Sequence, residues 1–193
     1  NQDGHIDLVF NSTHDSYAFI PATLAGVTKE GRIQQSELVV EGSLQVEVAD
    51  LNRDGHHDLV FLPNASGLQH PRRFVTIAWG GEDGWPAQRV AGVLPIRGAK
   101  AIALADLNHD GWPDIVVLGE DAWMPGQPRG KIVRIYWGSQ RGYLLTRRQD
   151  LGIPAAIDLA SGDFDSDGAS DLAILSTDGK IHLVWAAKSP VLS

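Results

Sequence analysis

Apolar residues in this chain fall in short runs rich in Val, Ile, Leu and aromatic side chains, interrupted by Gly, Asp and Asn. Runs of this length, β-branched and bounded by turn residues, predict strands and not helices. In the second quarter of the chain they predict strands at 44–49, 58–62, 74–79 and 88–94. The same order follows at 101–105, 114–118, 131–137 and 145–151, and again at 156–162, 171–175 and 180–185. The aspartates that open the second strand of each set, Asp7, Asp58, Asp114 and Asp171, are 51, 56 and 57 residues apart. That period lies in the range of propeller blades. Four strands per unit, repeated radially, give an all-β fold of the β-propeller kind, with about three and a half to four antiparallel blades in this chain. A parallel β-helix or a sandwich is the structural alternative, with shorter or irregular repeats. The blades are expected at about 1–42, 43–97, 98–154 and 155–193, within a single, partial propeller domain.

Each set carries a nine-residue acidic loop between its first two strands. Three are complete, at residues 50–58, 106–114 and 163–171, and residues 1–7 form a copy that lacks its first two positions. Oxygen-bearing side chains stand at positions 1, 3, 5 and 9, with glycine at 6, which is what a hard cation such as calcium requires: several oxygens gathered by one sharp turn. The expected side-chain ligands are Asn1, Asp3 and Asp7; Asp50, Asn52, Asp54 and Asp58; Asp106, Asn108, Asp110 and Asp114; and Asp163, Asp165, Asp167 and Asp171. Position 7, occupied by His5, His56, Trp112 and Ala169, is expected to give its backbone carbonyl and to hold a solvent-facing side chain. An EF-hand would end on Glu at position 12, but Phe61, Val117 and Ile174 stand there. A single loop of this type also reads as an ordinary Asx-rich turn, whereas four in register favour one structural calcium ion per loop.

Charge changes the picture in one respect. The loops hold two, three, three and four carboxylates, half of the 24 acidic residues, and leave 12 acidic against 15 basic elsewhere. The net charge of −8 therefore belongs to the loops. This origin argues against nucleic-acid binding. A hydrophobic content of 43% over 193 residues suffices for a buried core. No apolar run reaches the roughly 18 residues of a membrane span. With no cysteine, neither a disulfide framework nor a thiolate metal site exists. Weak calcium sites, on the order of 0.1 to 1 mM, suit an extracellular, cell-surface or periplasmic setting.

The acidic loop between strands, followed by a Trp-Gly step at Trp79–Gly80 and Trp137–Gly138 with a further glycine at Gly84 and Gly142, resembles the FG-GAP/VCBS repeat family, whose blades also build the integrin alpha-subunit propeller. The resemblance covers essentially the whole chain and implies a propeller, commonly seven-bladed, with calcium in the loops of one face. The first repeat departs from it, with Phe19–Pro21 in place of Trp-Gly, and the fourth has Trp185–Ala186 and almost no fourth strand. Residue 1 falls inside a loop, so missing blades of the same protein, or another chain, are expected to complete the ring and to cover apolar faces near 1–10 and 180–193.

Trp79, Trp137 and Trp185 end equivalent strands and are expected to pack between blades; a sugar-stacking row is the rival reading. No HExxH, GxSxG, phosphate-cradling glycine loop or RGD tripeptide occurs. The adjacent acidic pairs Glu82/Asp83 and Glu120/Asp121 read as solvated turns. Asn11–Thr13 and Asn64–Ser66 match the N-glycosylation sequon. Long connections at 63–73 and 119–130 carry His70, Arg72, Arg73, Trp123, Met124 and Arg129, an aromatic and arginine mixture that suits ligand recognition. The leading expectation is a non-catalytic, calcium-stabilised propeller segment of an exported protein, used for adhesion or for binding a protein or glycan. The alternative is the propeller scaffold of a polysaccharide-processing enzyme whose catalytic residues lie mostly outside this chain.

Overall fold

The computed structural model describes residues 8–10, 21–27, 31–41, 43–63, 74–82, 84–85, 90–120, 130–153 and 155–186. Among the described residues the fold is all-β, with no helix. The first sheet is β1 (Leu8–Phe10), β2 (Pro21–Val27) and β3 (Ile33–Glu41); the second is β4 (Ser43–Ala49), β5 (Asp58–Pro63), β6 (Phe74–Ala78) and β7 (Val90–Pro95). The third is β8 (Arg97–Ala105), β9 (Asp114–Glu120), β10 (Lys131–Tyr136) and β11 (Arg148–Leu151), and the fourth is β12 (Ala156–Gly162), β13 (Asp171–Ser176) and β14 (Ile181–Val184). Each sheet is an antiparallel meander whose strands pair in sequence order. These are blades of a β-propeller. β5, β9 and β13 each open on the last aspartate of an acidic loop, and β1 directly follows Asp7, so β1–β3 are the second, third and fourth strands of the first repeat.

The chain divides into two compact units, Asn1–Asp50 with Asp54–Pro95, and Leu51–Arg53 with Ile96–Ser193. Each has its own core, and the same rule builds both. Side chains alternate between the two faces of a strand. Counting from the loop aspartate, the second and fourth residues of a blade's second strand form what we call its head face, and the third and fifth its tail face. In the first unit, Leu59 and Phe61 on the head face of blade 2 pack with Ala22, Val9 and Leu24 from the tail face of blade 1. In the second unit, Leu172 and Ile174 on the head face of blade 4 pack with Val116, Leu118, Val133 and Ile135 from the tail face of blade 3. Ala101, Ala103 and Ala105 on β8 belong to the same cluster. Their small side chains leave room for the larger neighbours across the contact, the interdigitation that dense packing demands.

A strand covered on both faces must be apolar throughout, and not alternating. β9 meets that condition: Asp114 to Gly119 are all buried. β11 is the opposite case, with mostly exposed side chains. It is tied to the sheet by Arg134, which stands directly opposite Asp150 and donates from Nε to Oδ1 at 2.7 Å and from Nη2 to Oδ2 at 2.9 Å. This bidentate pair holds the Asp150 carboxyl below the usual carboxylate range.

Candidate metal centre

The three complete loops adopt one conformation. Position 4 is left-handed in each, with φ of 58° at Arg53, 56° at His109 and 61° at Ser166. Position 6 is left-handed as well, at 89°, 84° and 89°, and glycine takes it without steric cost. Two reversals this close together turn successive backbone N–H groups inward, where the acidic side chains receive them. The first aspartate accepts the position-5 amide on Oδ1, at 3.1 Å for Asp50, 3.2 Å for Asp106 and 3.0 Å for Asp163. Its Oδ2 accepts the glycine amide at 2.9, 2.8 and 3.0 Å. The position-5 carboxylate accepts the position-7 amide at 2.9 Å in all three loops. Asn108 and Asp165, at position 3, accept the position-5 amide through Oδ1 at 3.0 and 3.1 Å.

Position 9 differs from the others. Asp58, Asp114 and Asp171 are buried, whereas Asp50 and Asp106 at the first position are half-buried and Asp163 and the three fifth-position aspartates are exposed. Each buried carboxylate accepts, on Oδ1, an amide from just past the end of the third strand: Gly80, Gly138 and Ala186, all at 2.8 Å. Oδ2 of Asp114 and of Asp171 accepts the position-2 amide of its own loop, Leu107 at 2.9 Å and Phe164 at 3.1 Å. One side chain thus joins loop, second strand and third strand. In the absence of a cation, burial pushes the Asp114 carboxyl up to about 7; the Gly138 and Leu107 amides work the other way, and the Asp110 and Asp106 charges add to the rise.

This geometry explains the Trp-Gly step. A Cβ at Gly80 would collide with the His57 carbonyl oxygen, and one at Gly138 with the Pro113 carbonyl oxygen. Those carbonyls, at loop position 8, are capped by an aromatic residue that no motif had singled out. Trp85 Nε1 donates to His57 O at 2.8 Å and Tyr143 Oη to Pro113 O at 2.7 Å. The available signal was the recurrence of Gly84–Trp85 and Gly142–Tyr143 at matching places, each glycine closing a turn through its amide to Gly81 or Ser139.

A cation needs converging oxygens, and in the fourth repeat Asp163, Asp165 and Asp171 each bring one within 4.8 Å of the other two. The second and third loops carry the carboxamides of Asn52 and Asn108 at the middle of these three positions. The donor set is all oxygen and carries a net negative charge, which fits a hard divalent ion. The expectation of solvent-facing side chains at position 7 is corrected. Ala169 is buried, His56 is half-buried with Nδ1 enclosed, and Trp112 lies under the Arg53 guanidinium at 5.4 Å. The tryptophan row also divides. Trp137 packs against the second core, whereas Trp185 is half exposed. Asn1, Asp3, His5 and Asp7, and the loop residues His70, Arg72, Arg73, Trp123, Met124 and Arg129, lie outside the described residues, as do both sequons.

No family model matches the chain. It is similar to phosphatidylinositol-glycan-specific phospholipase D of Rattus norvegicus, with 34% identity over 149 residues, and of Mus musculus, with 34% over 147. The enzyme of Homo sapiens is 30% identical over 147 residues. These alignments cover 66%, 66% and 65% of the chain, but it spans only 17% of each relative.

The Asp114 carboxyl gives a pH test. A folded-state value above the ordinary 3.8 means that the folded chain holds this proton more tightly than the unfolded chain. Its contribution to stability is full below the unfolded value and is lost as pH rises through about 7. In chelator, the denaturation midpoint should therefore fall between about pH 4 and pH 7, and Asp114→Asn should flatten that slope. A wild-type profile with no such fall would mean that the buried carboxylate stays ionised throughout.

Proposed function

We propose that this chain is a calcium-stabilised propeller segment that scaffolds an enzyme of the phosphatidylinositol-glycan-specific phospholipase D kind, with the chemistry carried by residues outside these 193. The observation that carries this reading is the 34% identity over two-thirds of the chain to such phospholipases. It favours the enzyme-scaffold alternative over adhesion, with a phospholipid-glycan in place of a polysaccharide as the class of substrate. The chemistry of the acidic loops agrees. Their carboxylates already accept backbone amides within the loop or from the neighbouring strand, an arrangement suited to holding a turn and an ion and not to general acid-base work on a substrate.

Calcium is the ion this donor set suits, and the resemblance to FG-GAP/VCBS repeats supports the same choice. Positions 1, 3, 5 and 9 would supply side-chain oxygens, and position 7 its carbonyl. Bound there, the ion neutralises carboxylates that otherwise repel one another. An exported, extracellular setting supplies calcium at a concentration that weak sites can use. Phospholipase activity on phosphatidylinositol-glycan would belong to the longer protein.

Two measurements test the reading. Calorimetry with calcium should resolve one site for each of the complete loops, and saturation at about 100 times the dissociation constant should add roughly 2.7 kcal/mol per site. Asp167→Ala should remove one such increment; an unchanged melting curve in chelator, or a tight preference for magnesium, would defeat the calcium assignment. Separately, the isolated chain should release no phosphatidylinositol-glycan-anchored protein from vesicles. Release by these residues alone would place the chemistry inside them and overturn the scaffold reading.

A further inference from the structure

The third and fourth acidic loops lie in the same compact unit and share one backbone conformation, so the side chains that differ between them decide how each receives a cation. At position 3 the third loop has Asn108 and the fourth has Asp165. The Asp110 amide donates to Asn108 Oδ1 at 3.0 Å, which fixes the oxygen end of the carboxamide and leaves its Nδ2 donating to Asp110 Oδ2 at 3.1 Å. A nitrogen donor thus engages an oxygen that an incoming ion needs. Asp165 accepts the Asp167 amide in the same way, at 3.1 Å, but its second oxygen is a further acceptor and not a donor. It also brings an oxygen within 4.8 Å of oxygens from Asp163 and Asp171.

Positive charge collects on the third loop as well. Arg147 Nη2 lies 3.9 Å from the same Asp110 Oδ2. The turn that carries Arg147 is held by its main chain, whose amide donates to Leu144 O at 2.9 Å and whose carbonyl accepts the Trp137 amide at 3.1 Å. A second guanidinium, that of Arg53 in the same unit, lies 5.4 Å from the Trp112 ring centroid, and its Nη1 is 2.8 Å from where a Cβ on Gly111 would stand. The matching positions for the fourth loop are His109 and Ala169, so neither that guanidinium nor that ring recurs there. A fixed cation beside a ligand oxygen repels an incoming divalent ion, whereas one more carboxylate attracts it.

We propose that the two sites of this unit are graded: the fourth loop takes calcium first, and the third is a weaker site whose affinity Asn108 and Arg147 set by engaging Asp110 Oδ2. Loading the third site requires both nitrogen groups to release that oxygen, so it responds to calcium at concentrations where the fourth is already filled. The inference rests on the calcium reading and identifies the residues that regulate it.

A site-resolved titration tests it, with NMR spectra of the 193-residue chain followed at the Gly111 and Gly168 amides, which donate to Asp106 and Asp163 within the two loops. Gly168 should reach its calcium-saturated shift at a concentration on the order of tenfold below that of Gly111. Arg147 is exposed and its turn is held by main-chain bonds, so Arg147→Gln should fold as the wild type does. At low salt it should tighten the third site by roughly two- to fivefold, the range an exposed ion pair carries, and the gain should shrink as salt rises. Arg147→Lys keeps the charge and should keep the wild-type affinity. Asn108→Asp should bring the Gly111 transition towards that of Gly168, and no substitution should move the fourth site. If neither glycine responds to calcium, the calcium assignment fails and the gradation with it. If both respond but at the same concentration, if Gly111 saturates first, or if Arg147→Gln leaves the third site unchanged, the calcium reading stands and the gradation is overturned.

Discussion

The buried aspartate at the end of each acidic loop is the constraint on which the rest of the blade depends. Asp114 is enclosed among apolar strands, an environment that disfavours its charge, yet it accepts amides from Gly138 and Leu107. Burying a polar group without partners costs free energy, and a charged one costs more. The chain meets that cost by giving the carboxylate two amides that would otherwise be unpaired at the end of a strand and the start of a loop. The acceptor is therefore worth more in place than an apolar residue would be, because removing it orphans donors on two segments far apart in sequence. The acidic loop, the Trp-Gly step and the aromatic cap on the position-8 carbonyl form one assembly around this side chain.

With that end of the blade secured, the faces of the sheet determine how blades stack. Leu172 and Ile174 point one way from β13, and Ala173 and Leu175 the other, so a blade has two chemically similar but distinct sides. Within each of the two units the contact joins a tail face to a head face.

Most of the strands were legible from their apolar runs, because periodicity and turn residues are local signals. The misplacements also have local causes. The fourth strand of blade 3 begins at Arg148 and not at 145, because Leu144 to Arg147 close a turn through a 2.9 Å amide-to-carbonyl bond. β8 begins at Arg97, four residues earlier than its run suggested, through a register shift between Arg97 and Ala101. The loops were legible as oxygen clusters, but Asp50 and Asp58 carry the same side chain, and nothing local distinguishes the surface turn from the buried staple. That distinction comes from a partner 22 residues away, the Gly80 amide. The need for glycine at Gly138 was equally hidden, since it lies in the approach of the Pro113 carbonyl from another segment.

The most direct test of the staple is amide hydrogen exchange at Gly80, Gly138 and Ala186. All three follow the end of a strand, where amides ordinarily exchange quickly, yet each donates to a buried carboxylate at 2.8 Å. Protection comparable to that of β9 and β10, lost selectively at Gly138 in Asp114→Ala, is the result this account predicts. Exchange at the rate of exposed turn amides in the wild-type chain would contradict it.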